Sequence, residues 1–247
     1  MIKIYGVNLS QFPNRQEMIG ALSSEQYRVW REHHKSVRNE KVMRSSLAGI
    51  LLLNMCGMKG TLLYDENGRP YFDRADFDFN ITHTEQQIFC AIEDSYGREG
   101  LPPLENALPY PSESVPPEMQ QRLFGDRLRV GIDAENLDRI ASIRICQMAS
   151  RWFSENEYAF FLSDPTDMTF LRIWTRKEAL IKWTGVGLRA LRNADTTCAE
   201  SVYGVRFYEY MLGNTLVTLC CRRGTLPPHD IEMLSNSRLV DFGFSIT

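Results

Sequence analysis

At 247 residues the chain has room for one large domain or two units of roughly 100 to 150 residues, each with its own core. A hydrophobic share of 43% against 24% charged residues is that of a folded globular protein and excludes a disordered chain. The 28 basic and 31 acidic side chains give a formal net charge of -3, which leaves no broad cationic footprint for nucleic acid but permits a local anion pocket.

In chain order, residues 2 to 9 alternate as a strand does, and 22 to 35 read as a helix that opens after Ser23 and Ser24 with Glu25 in its first turn. A second helix is expected over about 40 to 55. The apolar run 47 to 58 is shorter than the roughly 20 residues a membrane span requires, so no membrane partner is expected. The opening MIKIYGVNL has no basic stretch ahead of a long apolar core, and a cytoplasmic location is the expectation. An Asn67-Gly68 turn separates LLY from PYF, and FDFNITHTEQQIFCAIE, 77 to 93, contains the apolar strand IFCAI.

Residues 97 to 119 hold six of the eleven prolines and read as a linker or a long surface loop. That divides the chain into a first half, 1 to 119, and a second half, 120 to 247. The second half begins with the strand RLRVGID, followed by helices near 136 to 150, 154 to 162 and 168 to 183. Strands at about 202 to 209 and 215 to 221 and a tail complete it. The six cysteines show neither zinc-site spacing nor a disulfide framework.

Two stretches carry the chemistry. In FLRIWTRKEALIKWTG, 170 to 185, Glu178 falls on the helical arc shared by Leu171, Trp174 and Ile181, with Lys182 one turn further on. A carboxylate on such an apolar border must reach past the core or meet a partner. In LRVGIDAEN, 128 to 136, alternation predicts one buried face, and Asp133 and Glu135 point the same way. Two adjacent carboxylates repel, and a hard divalent cation relieves that repulsion. Glu178 completes a three-carboxylate set suited to magnesium holding a phosphate or pyrophosphate. Spacing alone also permits a plain strand end at Gly-Ile-Asp, and an exposed pair between Glu178 and Lys182.

The order of motifs goes further. VGIDAE at 130 to 135, FSENE at 153 to 157 and WTRKEALIKWTG at 174 to 185 resemble the signatures of phosphopantetheinyl transferases of the surfactin-synthetase-activating type. GRP at 68 to 70 stands where that family usually has Gly-Lys-Pro, and FNITHT at 79 to 84 where it has Phe-Asn-hydrophobic-Ser-His-Ser. The resemblance covers about residues 20 to 190. It implies an α+β fold, a pseudo-dimer of two similar α/β halves with the active site in the cleft between them. It also implies transfer of the 4'-phosphopantetheine group from coenzyme A to a serine of an acyl or peptidyl carrier protein, releasing 3',5'-ADP.

By the same resemblance Asp133, Glu135 and Glu178 look like magnesium ligands, with Glu178 or a metal-bound water taking the serine proton. Lys182 looks like the lysine at the departing phosphate, and His83 like the histidine at the pyrophosphate. Arg44 and Arg69 would join the coenzyme A phosphate pocket. Apart from the resemblance, Arg28, Arg31 and Lys35 line up at near-helical spacing, which places them either at the 3'-phosphate of coenzyme A or on a solvated face. Glu157, in FSENE, would anchor helix geometry near the site. Leu52 stands where the family often has a second arginine, Thr82 and Thr84 replace serines, and 97 to 119 is longer than the usual link. The two-half plan implies a monomer. Two other readings stand beside this one: a magnesium-dependent phosphohydrolase using the same three carboxylates with water as nucleophile, which as a nuclease would require the basic groove that the charge balance lacks, and a non-catalytic scaffold, which would keep the fold and lose the ligands.

Overall fold

In the computed structural model the alternation at the N-terminus forms β1 (Ile2–Asn8), with Ile2, Ile4 and Val7 buried. The structure describes residues 1–73, 77–94, 130–140, 144–185 and 194–243, so the proline-rich segment 97 to 119 lies outside the described residues. Three helices follow β1: α1 (Arg15–Gly20), α2 (Ser24–His33) and α3 (Glu40–Met55). Ser23 caps α2 in a reciprocal box with Gln26, and Asn39 caps α3 by accepting from the amides of Lys41 and Val42. Leu47, Leu51, Leu52 and Leu53 of α3 are fully buried, so the position where an arginine is usual belongs to the core.

The Asn67-Gly68 turn joins β2 (Leu62–Tyr64) and β3 (Pro70–Phe72) as an antiparallel pair, with Gly68 at φ +81°. The stretch 77 to 93 is a hairpin of β4 (Phe77–His83) and β5 (Gln87–Asp94), and β1 pairs with the far edge of β5. In the second half β6 (Val130–Asn136) leads into helices α4 (Leu137–Ile140), α5 (Ile145–Trp152), α6 (Glu155–Ser163) and α7 (Asp167–Thr184). A short helix, α8 (Ala199–Tyr203), precedes the antiparallel pair β7 (Val205–Leu212) and β8 (Thr215–Arg222), and β8 pairs with β6. The tail returns to the first sheet, where β9 (Glu232–Met233) runs parallel to β1 ahead of α9 (Asn236–Asp241). The sheet orders are therefore β4-β5-β1-β9 and β6-β8-β7, with β2-β3 apart.

Three expectations shift. The helix expected over 136 to 150 is two helices, because β6 continues through Asn136 and α4 ends at Ile140. The strand expected from 202 begins at Val205, after α8 has been stopped by Gly204 in the left-handed region at φ +66°. And β6 is buried on both faces rather than one. Val130, Ile132 and Ala134 share a core with Ile2, Ile4, Phe89 and Ala91 of the first sheet and with Val217 and Leu219 of β8. The opposite face, with Gly131 and Asp133, lies under α7.

Between the two larger sheets, β4 and β6 are joined by side chains. Asp78 and Asn80, two apart and so on one side of β4, accept from the amides of Val130 and Ile132 at 2.9 and 3.0 Å. Those two acceptors satisfy β6 amides that face no strand there.

Gly131 sets the approach of α7. A Cβ built on it would lie 2.1 Å from the Ala179 carbonyl oxygen and 2.6 Å from the Trp183 amide. Gly131→Ala should therefore force α7 off β6 and destabilise the fold by about 1 to 3 kcal/mol, the usual range for overpacking. Urea unfolding measures this, and an unchanged midpoint would contradict the close packing.

Candidate active site

Helix α7 is fixed at both ends: Thr166 accepts from the Thr169 amide, and Gly185 closes the C-terminus at φ +71°. Between them Leu171, Ala179, Leu180 and Ile181 are buried, which pins the rotation of the helix and leaves Glu178 and Lys182 half-buried at its border, over β6. Lys182 Nζ donates to Asp133 Oδ1 at 2.6 Å and to Thr82 Oγ1 at 3.1 Å, and Thr82 Oγ1 donates to the same Asp133 oxygen at 3.1 Å. Asp133 is almost fully buried, and its other oxygen, Oδ2, has no hydrogen-bond partner. A buried carboxylate oxygen without a donor is costly unless something cationic faces it.

Two more carboxylates border this point. Burial, then the neighbouring charge of Asp133, raises the pKa of Glu178 to about 7, with Lys182 opposing and Glu135 adding to the shift. Glu135 is also raised, first by burial and second by Asp133, while Arg139 on α4 opposes. Arg139 Nη1 reaches both oxygens of Glu135, at 3.0 and 3.3 Å. Among the described residues, no three of His, Cys, Asp or Glu are gathered closely enough to hold a metal ion. The chain's own cations Lys182 and Arg139 hold two of the three carboxylates instead. The donors nevertheless suit a hard divalent cation: all are carboxylate oxygens, and one of them is buried and unpartnered.

A pH dependence of stability follows. With its pKa raised from 4.5 to about 7, Glu178 binds a proton more tightly in the folded chain than in the unfolded one. Its contribution is fully present below pH 4.5 and is lost as pH rises through about 7. Metal-free protein should therefore lose stability across that window, and Glu178→Gln should flatten the loss. Thermal melts at a series of pH values check it; an equally steep profile in the variant would contradict the assignment.

The basic residues divide. His83, at the end of β4, keeps solvent access; partial desolvation and then Lys182 lower its pKa, with Asp133 opposing, so it borders the same charges. Arg69 donates to the carbonyl oxygens of Lys182, Phe79 and Val130 and pairs with Asp78 at 2.6 Å. Arg44 donates to the carbonyl oxygens of Leu9 and Phe12 at 3.2 and 2.9 Å. Both arginines thus bind the fold here: Arg69 clamps β4 to β6 and α7, and Arg44 clamps α3 to the end of β1.

A cleft of about 520 Å³ opens between α1, α2 and the start of α3, lined by Arg15, Arg31, Lys35 and Arg38 beside Tyr27 and Trp30. Arg28 is exposed outside that lining. The far end of α2 is linked to α7 through the Gly68 turn: His33 stacks on Tyr64 at 3.8 Å and lies against that turn, whose Arg69 contacts α7.

Sequence reading did not find the wholly buried pair Glu157–Lys177, at 2.6 Å. Glu157 also accepts from the Ser154 amide and from the amide and hydroxyl of Thr196, each at 2.8 Å, and Lys177 also donates to the Ala194 carbonyl. This network fixes α6 and the segment at 194 to 196 to the helix turn that presents Glu178. The Ser154 capping box marks the helix start locally, whereas nothing local marks Thr196, 39 residues away.

Comparison with known proteins adds to this geometry. The model of the 4'-phosphopantetheinyl transferase superfamily matches residues 129–216, which include Asp133, Glu135, Glu178 and Lys182. The chain is 28% identical over 161 residues to the 4'-phosphopantetheinyl transferase gsp of Aneurinibacillus migulanus, covering 64% of this chain and 51% of the relative. It is 26% identical over 202 residues to the 4'-phosphopantetheinyl transferase Sfp of Bacillus subtilis (strain 168), covering 76% and 72%. A third relative, the 4'-phosphopantetheinyl transferase HetI of Nostoc sp., is 24% identical over 193 residues, covering 73% and 66%. The chain thus spans about half the length of the first of these relatives and about two thirds or more of the others.

Proposed function

We propose that the chain, whose residues 129–216 match the model of the 4'-phosphopantetheinyl transferase superfamily, transfers 4'-phosphopantetheine from coenzyme A to a serine hydroxyl of an acyl or peptidyl carrier protein. The observation that carries this reading is the cluster on α7 and β6: Lys182 pairs with one oxygen of Asp133 at 2.6 Å, the other Asp133 oxygen is buried and unpartnered, and Glu178 and Glu135 border it. Carboxylates beside a lysine are the groups that proton transfer and phosphate charge require.

The serine oxygen forms a bond to the phosphorus that carries the pantetheine arm, and the bond from that phosphorus to 3',5'-ADP breaks. Glu178 accepts the serine proton. Lys182, one helical turn away, stands where it can offset charge gathering on the departing phosphate. A magnesium ion held by Asp133, Glu135 and Glu178 would neutralise charge on the pyrophosphate. His83 contacts the pyrophosphate, and Arg31, with Arg28 and Lys35, receives the 3'-phosphate end of coenzyme A. Arg44 and Arg69 act on that pocket by holding its walls.

The repeated element order supports a pseudo-dimer. In each half a first strand is followed by helices and then by an antiparallel pair, the second strand of which lies beside the first, giving β4-β5-β1 and β7-β8-β6. A long helix, α3 in one half and α7 in the other, packs on each sheet. We place the active site in the cleft between the halves and expect a monomer, which the mass in solution tests. No described helix is long and apolar enough to cross a membrane.

Release of 3',5'-ADP tests the reaction: it should require magnesium and an apo carrier protein together. Release with water alone as acceptor would make the chain a phosphohydrolase instead. Lys182→Ala should lower kcat by roughly 10² to 10³, the range for losing one transition-state charge contact, with smaller change in coenzyme A binding. A defect confined to coenzyme A binding would contradict its role.

A further inference from the structure

We propose that Arg139 is a positioning residue that competes with the divalent cation for Glu135 and thereby sets the affinity of the metal site; this rests on the reading above. Arg139 stands four residues beyond Glu135, past the end of β6 and within the single turn of α4. Its Nη1 lies 3.0 and 3.3 Å from the two carboxylate oxygens, so one guanidinium nitrogen addresses both. Glu135 is 16% exposed in its side chain and Arg139 is 57% exposed. The carboxylate therefore has little water to exchange with, while most of the arginine side chain faces solvent.

The two other carboxylates differ. Asp133 offers an unpartnered buried oxygen, and Glu178 sits beside it with its carboxyl raised toward neutrality. Glu135 is the carboxylate whose two oxygens are both within reach of a cation from α4. A metal ion that takes an oxygen of Glu135 must displace the guanidinium from it. The cost of that displacement is the worth of the ion pair, and for a pair with one exposed partner that worth is small. Arg139 thus tunes the site rather than closing it. At low salt the tuning is strongest, because salt screens an exposed charge.

The test is Mn²⁺ binding to the full chain, followed by electron paramagnetic resonance of the free ion, with and without coenzyme A. Arg139→Ala should bind Mn²⁺ about two- to fivefold more tightly than the wild type, the factor that an ion pair of up to about 1 kcal/mol gives. Arg139→Lys should stay near the wild type. In a Glu135→Gln background the Arg139→Ala gain should vanish, since the competition needs the carboxylate. Unchanged or weaker Mn²⁺ binding by Arg139→Ala, or the same gain in the Glu135→Gln background, overturns the inference while leaving the metal reading intact. Absence of Mn²⁺ binding in the wild type and in Arg139→Ala, even with coenzyme A, overturns the metal reading and the inference with it. Because Arg139 is exposed, the variants are expected to fold, and circular dichroism melts confirm it.

Discussion

Asp133→Ala and Glu178→Gln are expected to lower the turnover of phosphopantetheine transfer by at least about a hundredfold while leaving the fold in place. Both are proposed magnesium ligands, and losing even an outer partner of a metal ligand typically costs 10- to 100-fold, so losing a proposed ligand should cost no less. The fold survives for two different reasons. Asp133→Ala removes a side chain that already has one unpartnered buried oxygen, although Lys182 and Thr82 lose their acceptor. Glu178→Gln keeps the shape and removes a charge that burial and Asp133 already oppose. Steady-state rates at saturating coenzyme A and magnesium, with unfolding curves alongside, measure both parts. Full magnesium-dependent turnover in either variant would remove that residue from the chemistry.

Lys177→Ala should be the more damaging change for the fold, by about 3 to 5 kcal/mol. The pair it breaks is completely buried, and removing one partner leaves Glu157 as an uncompensated charge in the interior. The loss extends further than the pair, because the same Glu157 carboxylate holds the Ser154 and Thr196 amides, and Lys177 itself ties down the Ala194 carbonyl. Burial lowers the pKa of Lys177 while Glu157 raises it, so the ammonium depends on that carboxylate for its charge. Glu157→Gln together with Lys177→Met should recover part of the stability, since a neutral pair of similar volume removes the orphaned charge. Urea midpoints of the single and double variants decide it; a Lys177→Ala protein as stable as the wild type would contradict the network.

Local patterns made much of the fold legible. The Ser23 cap, the apolar face of 40 to 55, the Asn67-Gly68 turn and Gly185 after the long helix each carry their own signal within a few residues. The boundaries of α3 and α7 accordingly fall within a residue of the expected ones. The departures arise where distant chain decides. Alternation along 128 to 136 shows that Val130 and Ile132 are core, but it cannot show that α7 covers the other face, which Gly131 permits. Charge at Arg69 and Arg44 is visible in the sequence, whereas their partners are carbonyl oxygens on other elements, up to 113 residues away. Among the site residues, the proximity of Glu178 to Lys182 follows from helical spacing. Their meeting with Asp133 depends on packing across 49 residues; the chemistry of three carboxylates suggested it, and the order of motifs supported it.

Transfer to a carrier protein is tested most directly by the intact mass of a small apo acyl carrier protein after incubation with the chain, coenzyme A and magnesium. The expected result is a gain of one phosphopantetheine group that disappears when EDTA is added. An unchanged mass across both acyl and peptidyl carriers, with coenzyme A and magnesium present, would contradict it.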